Sequence, residues 1–245
     1  MTSAARACWL LLVWQWLRFR KAILIIVFIQ VALAFGIVYG LAFLVPEVDP
    51  RTALFLSTGA PTMTLLVMGL SVVPQEVSQG KLTGRFDYLA SLPIPRLSTL
   101  VSDVTFWLLV QLPGTVLALA VASMRFGFAL EVRWTIVPAL LLVALTGACV
   151  GYAMAMVLRP QVAQQITSFI SIGILLFSPI NFPMDRLPGA LEKVHRFLPI
   201  AYMADLVRWS LTGRFVSSPG LAFAVVAAWC AAGLGVSYRT AVRRR

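Results

Sequence analysis

Charge is what this chain has least of. Only 12% of its 245 residues are charged and 60% are hydrophobic, whereas soluble globular domains carry about 25% charged residues. So few charges cannot cover a water-facing surface. So many apolar residues exclude disorder, because they force burial. Acidic residues number nine against twenty Lys and Arg, a net charge of +11. What remains is an integral membrane protein, and in that class basic residues gather in cytoplasmic loops. The basicity therefore does not call for nucleic acid, and none is expected as a partner.

Histidine and cysteine are nearly as scarce. His195 is the sole histidine, which excludes a two-His zinc helix; alone, it reads as a solvated helix residue. Cys8, Cys149 and Cys230 are odd in number and share no metal-type spacing, so they read as small hydrophobes. No Gly-x-Ser-x-Gly elbow occurs, and no aspartate-rich pair for magnesium-pyrophosphate chemistry. Gly80-Lys81-Leu82-Thr83 misses the phosphate-cradling loop twice. Leu82 stands where Ser or Thr must follow the Lys, and Gln75 stands where the first Gly belongs. No catalytic residue, no metal site and no cofactor of its own are expected.

What the chain does have is apolar length. Six stretches, at 22–45, 53–74, 99–123, 134–158, 162–182 and 219–238, each match the roughly 20 helical residues that cross a hydrocarbon core. An earlier run, Cys8 to Leu17, is too short to span, and Arg18, Arg20 and Lys21 separate it from the first stretch. With Trp9, Trp14 and Trp16 it predicts an interfacial helix over 4–20; the alternative is a plain extension of the first span. Ala32-Leu33-Ala34 has the form of a signal cleavage site, but the apolar run continues to Val45, so the first span is expected to stay uncleaved. The fold class predicted is all-α: a membrane protein of six transmembrane helices, forming a single domain over 1–245.

Six spans put both termini on one side. Twelve of the twenty Lys and Arg fall there, and five of the other eight sit in one long connection, where the charge rule counts less. Both termini are therefore expected to be cytoplasmic.

Two connections are longer than a turn requires. Residues 75–98 are cytoplasmic in this topology. Glu76, Lys81, Arg85 and Asp87 make the segment water-compatible, while Phe86, Tyr88, Leu89 and Leu92 give it an apolar face, and Pro93 and Pro95 end it. A short amphipathic helix offered to the cytosol suits docking into a partner's groove. Residues 179–218 form an external helical hairpin. Leu187, Leu191, Val194 and Leu198 recur at helical spacing, Pro199 starts a second helix and Gly213 ends it. Asp205 and Arg208, three apart, are placed to pair.

Within the spans, Gln161, Gln164, Ser168, Ser171 and Ser178 fall on one face of span five, with Gln165 and Thr167 beside it. Such a face meets another helix or a water-filled path. Phe28, Phe35, Tyr39 and Phe55 are candidates to line a path for apolar cargo, with ordinary packing as the plainer reading. Gly36-x-x-x-Gly40 and Gly147-x-x-x-Gly151 permit close helix contact, and Pro61 and Pro113 predict kinks. No ionisable group lies near mid-membrane, with Asp103 close to the cytoplasmic start of span three. Ion relays need such groups, so energy for uphill movement should enter through a partner.

The pattern resembles the membrane subunits of ABC-2 type exporters over nearly the whole chain. Three pieces carry it: Glu76-x-x-x-Gly80-Lys81-Leu82 with Tyr88-Leu89-x-x-Leu92-Pro93-Ile94; Phe177-Ser178-Pro179-Ile180-x-Phe182-Pro183 with Leu187-Pro188; and Phe197-Leu198-Pro199-Ile200 with Asp205 and Arg208. The resemblance implies a multi-pass permease of the bacterial inner membrane. Residues 76–95 would be a coupling helix on a separate ATP-binding cassette subunit, with Glu76, Gly80, Lys81, Arg85, Phe86, Tyr88, Leu89, Leu92 and Pro93 at the contact. The interfacial helix would also touch that subunit. ATP and magnesium would sit on the partner. Spans one, two and five would line a path between two permease copies, a homodimer or a pair with a related permease, using Phe28, Phe35, Tyr39, Phe55, Gln164, Ser168, Ser171 and Ser178. The nearest group is drug and antibiotic export, which implies a hydrophobic or amphipathic cargo. Export of polysaccharide or lipid-linked glycan, and a non-transporting assembly subunit, are the alternatives.

Overall fold

The computed structural model describes residues 4–41, 43, 50–126, 133–184, 187–213 and 218–243. The expected end of span one beyond residue 43, and Asp185, Arg186, Arg214, Arg244 and Arg245, lie outside the described residues. The elements are all helical: α1 Ala4–Phe35, α2 Pro50–Val67, α3 Val73–Leu82, α4 Arg85–Ser91, α5 Arg96–Phe126, α6 Ile136–Val157, α7 Pro160–Phe177, α8 Gly189–Phe197, α9 Pro199–Thr212 and α10 Pro219–Arg243. Among the described residues, six helical stretches are long and apolar enough to cross a membrane. They run Ala4–Gly40, Thr52–Leu82, Leu97–Arg125, Ile136–Val157, Pro160–Phe177 and Pro219–Thr240.

The first stretch corrects the expected separate interfacial helix. α1 runs unbroken through Arg18, Arg20 and Lys21, and continues as a π-helical segment, Gly36–Leu41. No Gly or Pro interrupts it, and Arg and Lys are good helix formers. Packing finishes the job. α1 lies alongside α5, with Phe19 between Phe106 (centroids 5.3 Å apart) and Trp107 (5.4 Å). Ser102 Oγ donates to the Cys8 carbonyl at 3.1 Å and Gln30 Nε2 to the Val110 carbonyl at 3.4 Å.

α2 is the central element, buried along most of its length and packed against α1, α5, α6 and α9. Four of its buried hydroxyls are satisfied within the helix. Ser57, Thr58 and Thr62 donate to carbonyls four residues back, and Thr64 to Pro61 three back. That is how polar side chains survive where water is absent. The chain stays helical through Pro61 and Pro113. The irregularity in span two falls later, in the π-helical segment Met68–Val72. There the helices nearly touch: a Cβ on Gly69 would come within 2.5 Å of the Gly147 carbonyl carbon. Gly147 and Gly151 thus serve a close contact, as their spacing suggested, whereas Gly36 and Gly40 face open space.

The long connection between the fifth and sixth of these stretches carries two successive helices, α8 and α9, meeting at Leu198–Pro199. Gly213 ends α9 with φ of 70°, and its N–H donates to the Trp209 carbonyl at 2.8 Å.

Candidate functional site

At the end of the molecule carrying residues 75–98, span two does not stop at the last apolar residue. It continues as α3, turns at Thr83–Gly84 with Gly84 at φ of 68°, and folds back as α4. Gly80 makes this turn possible. A Cβ there would lie 2.9 Å from Arg85 Nε and 3.0 Å from the Phe86 ring. Arg85 stacks over Phe86 at 4.9 Å and pairs with Asp103 on α5 at 3.3 Å. Asp103 is buried and also accepts from Gln15 Nε2 at 2.8 Å and from the Tyr152 hydroxyl at 3.4 Å. One carboxylate therefore joins α4 to α1, α5 and α6. Glu76 adds a looser tie, 3.6 Å from Arg18.

Lys81 points inward. Its Nζ donates to the carbonyls of Ala155, Met156 (3.0 Å) and Leu158 (3.0 Å). These are orphan carbonyls at the end of α6, where a cation is favoured. Leu89 is also internal, 7% exposed. Gly80, Lys81, Arg85 and Leu89 thus make contacts within the chain that seat α4 on the spans. Part of the apolar side of α4, at Leu89, is used against its own chain, while Tyr88 stays exposed. Phe86 is half-buried and packs against the buried cluster that contains Val73, Val77, Phe106 and Trp107. The outward surface consists of Leu82, Thr83, Asp87, Tyr88 (63% exposed), Ser91 and Pro93, with Leu92 at its edge.

The expected path residues do not converge. Phe28 and Phe35 face outward on α1, and Phe35 stacks on Tyr39 at 4.2 Å. Phe55 is buried under the guanidinium of Arg208, 3.9 Å from its ring centre. On α7, Ser168 is exposed and donates to the Gln164 carbonyl at 2.9 Å; Ser171 donates to the Thr167 carbonyl at 2.8 Å. Gln164 and Ser171 are half-buried, and Ser178 is buried in the turn that follows. α7 shows most of its surface, including Ile166, Phe169, Ile172 and Leu176, and it packs mainly on α3.

At the opposite end Arg208 is the organising residue. It is 2% exposed and donates to Asp205 Oδ1 at 2.7 Å, to the Ile180 carbonyl at 2.9 Å and to Thr58 Oγ1 at 3.3 Å. The expected Asp205–Arg208 pair is present. Burial pulls the guanidinium down to about 10, against the pull of Asp205, so it stays charged at neutral pH. Burial likewise raises the Asp205 carboxyl, and Arg208 offsets part of that rise. His195 is not solvated: it is 6% exposed, and burial lowers its pKa against a hydrogen bond with the Phe177 backbone.

Sequence reasoning passed over Gln15, Gln30 and Gln111, which are all buried. The signal was present, since isolated Gln in an apolar run has to find a partner. Among the described residues no group of His, Cys, Asp and Glu is arranged to hold a metal.

The arrangement is a membrane helix assembly with a folded-back helix at one end. The family model ABC-2 type transporter matches residues 6–212, and the chain belongs to that family. No curated protein matches it.

Proposed function

We propose that this chain is the membrane subunit of an ATP-driven exporter in the bacterial inner membrane, energised by a separate ATP-binding cassette subunit. The carrying observation is α4: held by Arg85 to a buried carboxylate shared with α1, α5 and α6, it presents Tyr88, Leu82, Asp87 and Pro93 outward. A partner pressing on that surface moves three spans through one contact. ATP and magnesium stay with the partner, whose closure biases the spans between states. In this reading residues 1–245 form one membrane domain, and both termini are cytoplasmic.

The cargo proposed is hydrophobic or amphipathic, of drug or antibiotic type. Supporting it are the apolar outward faces of α1 and α7, against which a second permease copy, identical or related, would form the path. Gln164, Ser168 and Ser171 supply its few polar contacts.

The test is purification of the tagged chain from its native membrane in mild detergent. An ATP-binding subunit should co-purify and should be lost on Tyr88→Ala with Leu82→Ala. A chain recovered alone, in detergent that preserves a related complex, overturns the reading. ATPase activity of the complex stimulated by glycan, and not by apolar compounds, would overturn the cargo.

A further inference from the structure

Spans four and six run side by side and touch closely at one level. Thr146 Oγ1 donates to the Val226 carbonyl at 3.3 Å. Two turns further along α10, Gly233 lies against the backbone of α6. A Cβ there would come within 2.9 Å of the Cys149 carbonyl carbon and 3.0 Å of Val150 N. Beyond this contact, toward the ends of both helices, a groove of about 340 Å³ opens between them. That volume is at the lower end of the roughly 300–1,000 Å³ typical of ligand clefts. Val150, Leu158, Trp229, Ala232, Gly233 and Val236 line it. Its rim is open, with Val157 60% and Val236 42% exposed.

Two arginines adjoin the lining residues along the chain. Arg159 follows Leu158 directly, and Arg239 lies one turn beyond Val236 on the same face of α10. Both are exposed. Neither makes an ion pair or side-chain hydrogen bond among the described residues. Arg159 is not needed to cap α6, because Lys81 already holds those carbonyls. The two apolar helical stretches end at Val157 and Thr240, so both arginines lie at the ends of stretches long enough to cross a membrane, where headgroups are met.

We infer that this groove is a binding site for one anionic glycerophospholipid, its acyl chain against Val150, Trp229 and Val236 and its phosphate between Arg159 and Arg239. Basic pockets between membrane helices recognise anionic headgroups in this way. A second copy of the chain is disfavoured as occupant. A two-fold contact through this face sets the arginines of one copy against those of the other, and like charges repel.

The experiment uses the full chain, delipidated in detergent, with dioleoyl phosphatidylglycerol and dioleoyl phosphatidylcholine as probes and native mass spectrometry as readout. Wild type should retain one phosphatidylglycerol per chain, preferred over phosphatidylcholine by roughly thirty-fold, the size two basic residues give at a membrane surface. Arg159→Gln with Arg239→Gln should abolish the preference, and Arg→Lys at both positions should keep most of it. Ala232→Phe, at an exposed lining position, should reduce retention of both lipids. Glycerol phosphate, which has the headgroup chemistry without chains, should not displace the bound lipid. Equal retention of both lipids by wild type, an undiminished preference in the double Gln variant, or displacement by glycerol phosphate overturns the site. So does a lipid-free dimer that Ala232→Phe dissociates.

Discussion

Replacing Arg208 by Ala should be among the most damaging single changes outside the membrane spans. The side chain is 2% exposed and makes three hydrogen bonds, to Asp205, the Ile180 carbonyl and Thr58, besides lying over Phe55. Breaking a buried ion pair from one side costs about 3–5 kcal/mol, because the other charge is left without compensation. Here Asp205 keeps 38% of its side chain exposed, so water recovers part of that loss. The Ile180 carbonyl has no such recourse, and losing its donor costs about 1–3 kcal/mol. Together the expected loss is about 3–4 kcal/mol, a fall in Tm of about 10 °C for a chain of this length. The assay is thermal unfolding in one detergent. Arg208→Lys should recover about half, since it keeps the charge and loses the fork. Arg208→Met combined with Asp205→Asn should be milder than Arg208→Ala alone, because no bare charge remains. A Tm within about 3 °C of wild type for Arg208→Ala, or a double variant worse than the single, would refute the account.

Three further outcomes follow from other contacts. Gly69→Ala should destabilise by more than about 2 kcal/mol, since its Cβ meets backbone that cannot yield. Gly147→Ala, whose Cβ would find Gly69 Cα at 3.5 Å, should stay within about 0.5 kcal/mol; equal effects in thermal unfolding would remove the close-contact explanation. Lys81→Met should cost about 1–2 kcal/mol through the three carbonyls it abandons, and should speed hydrogen exchange at the end of α6; unchanged exchange there counts against the cap. Burial lowers the folded-state pKa of His195, so its neutral form adds stability above about pH 6.5. That stability is lost as pH falls through the folded value. His195→Gln should flatten the acid side of the stability profile, and a profile unmoved by the substitution would place the acid sensitivity elsewhere.

The sequence made the spans legible because apolar length is a property of each segment alone. Among the described residues, six helical stretches are long and apolar enough to cross a membrane, at nearly the expected positions. The error at the amino terminus has the same origin. Three basic residues end an apolar run without ending a helix, and only α5, alongside, decides that α1 continues. The facing of α4 raises a related point. An amphipathic pattern says that one side is covered; it does not say whether a partner or the same chain covers it. Leu89 answers that question only when α4 is seen folded back onto the spans. Phe55 repeats the point from the other end, being apolar, aromatic and fully used by Arg208.

The two arginine clusters set the limit of what spacing reveals. Arg208 and Asp205 are three residues apart on one helix, so periodicity alone brings them together. Arg85 and Asp103 are eighteen residues apart, and their pairing needs the turn at Gly84 and the missing side chain at Gly80. Both clusters grip the same continuous stretch from opposite ends. Arg208 holds α2 at Thr58 and Phe55, and Arg85 lies against α3 at Gly80. Between them is Met68–Val72, where the helix widens to π geometry against Gly147 and Gly151. A load applied to α4 therefore reaches a stretch pinned at its far end, with a π segment, the kind of place where helices kink, lying between.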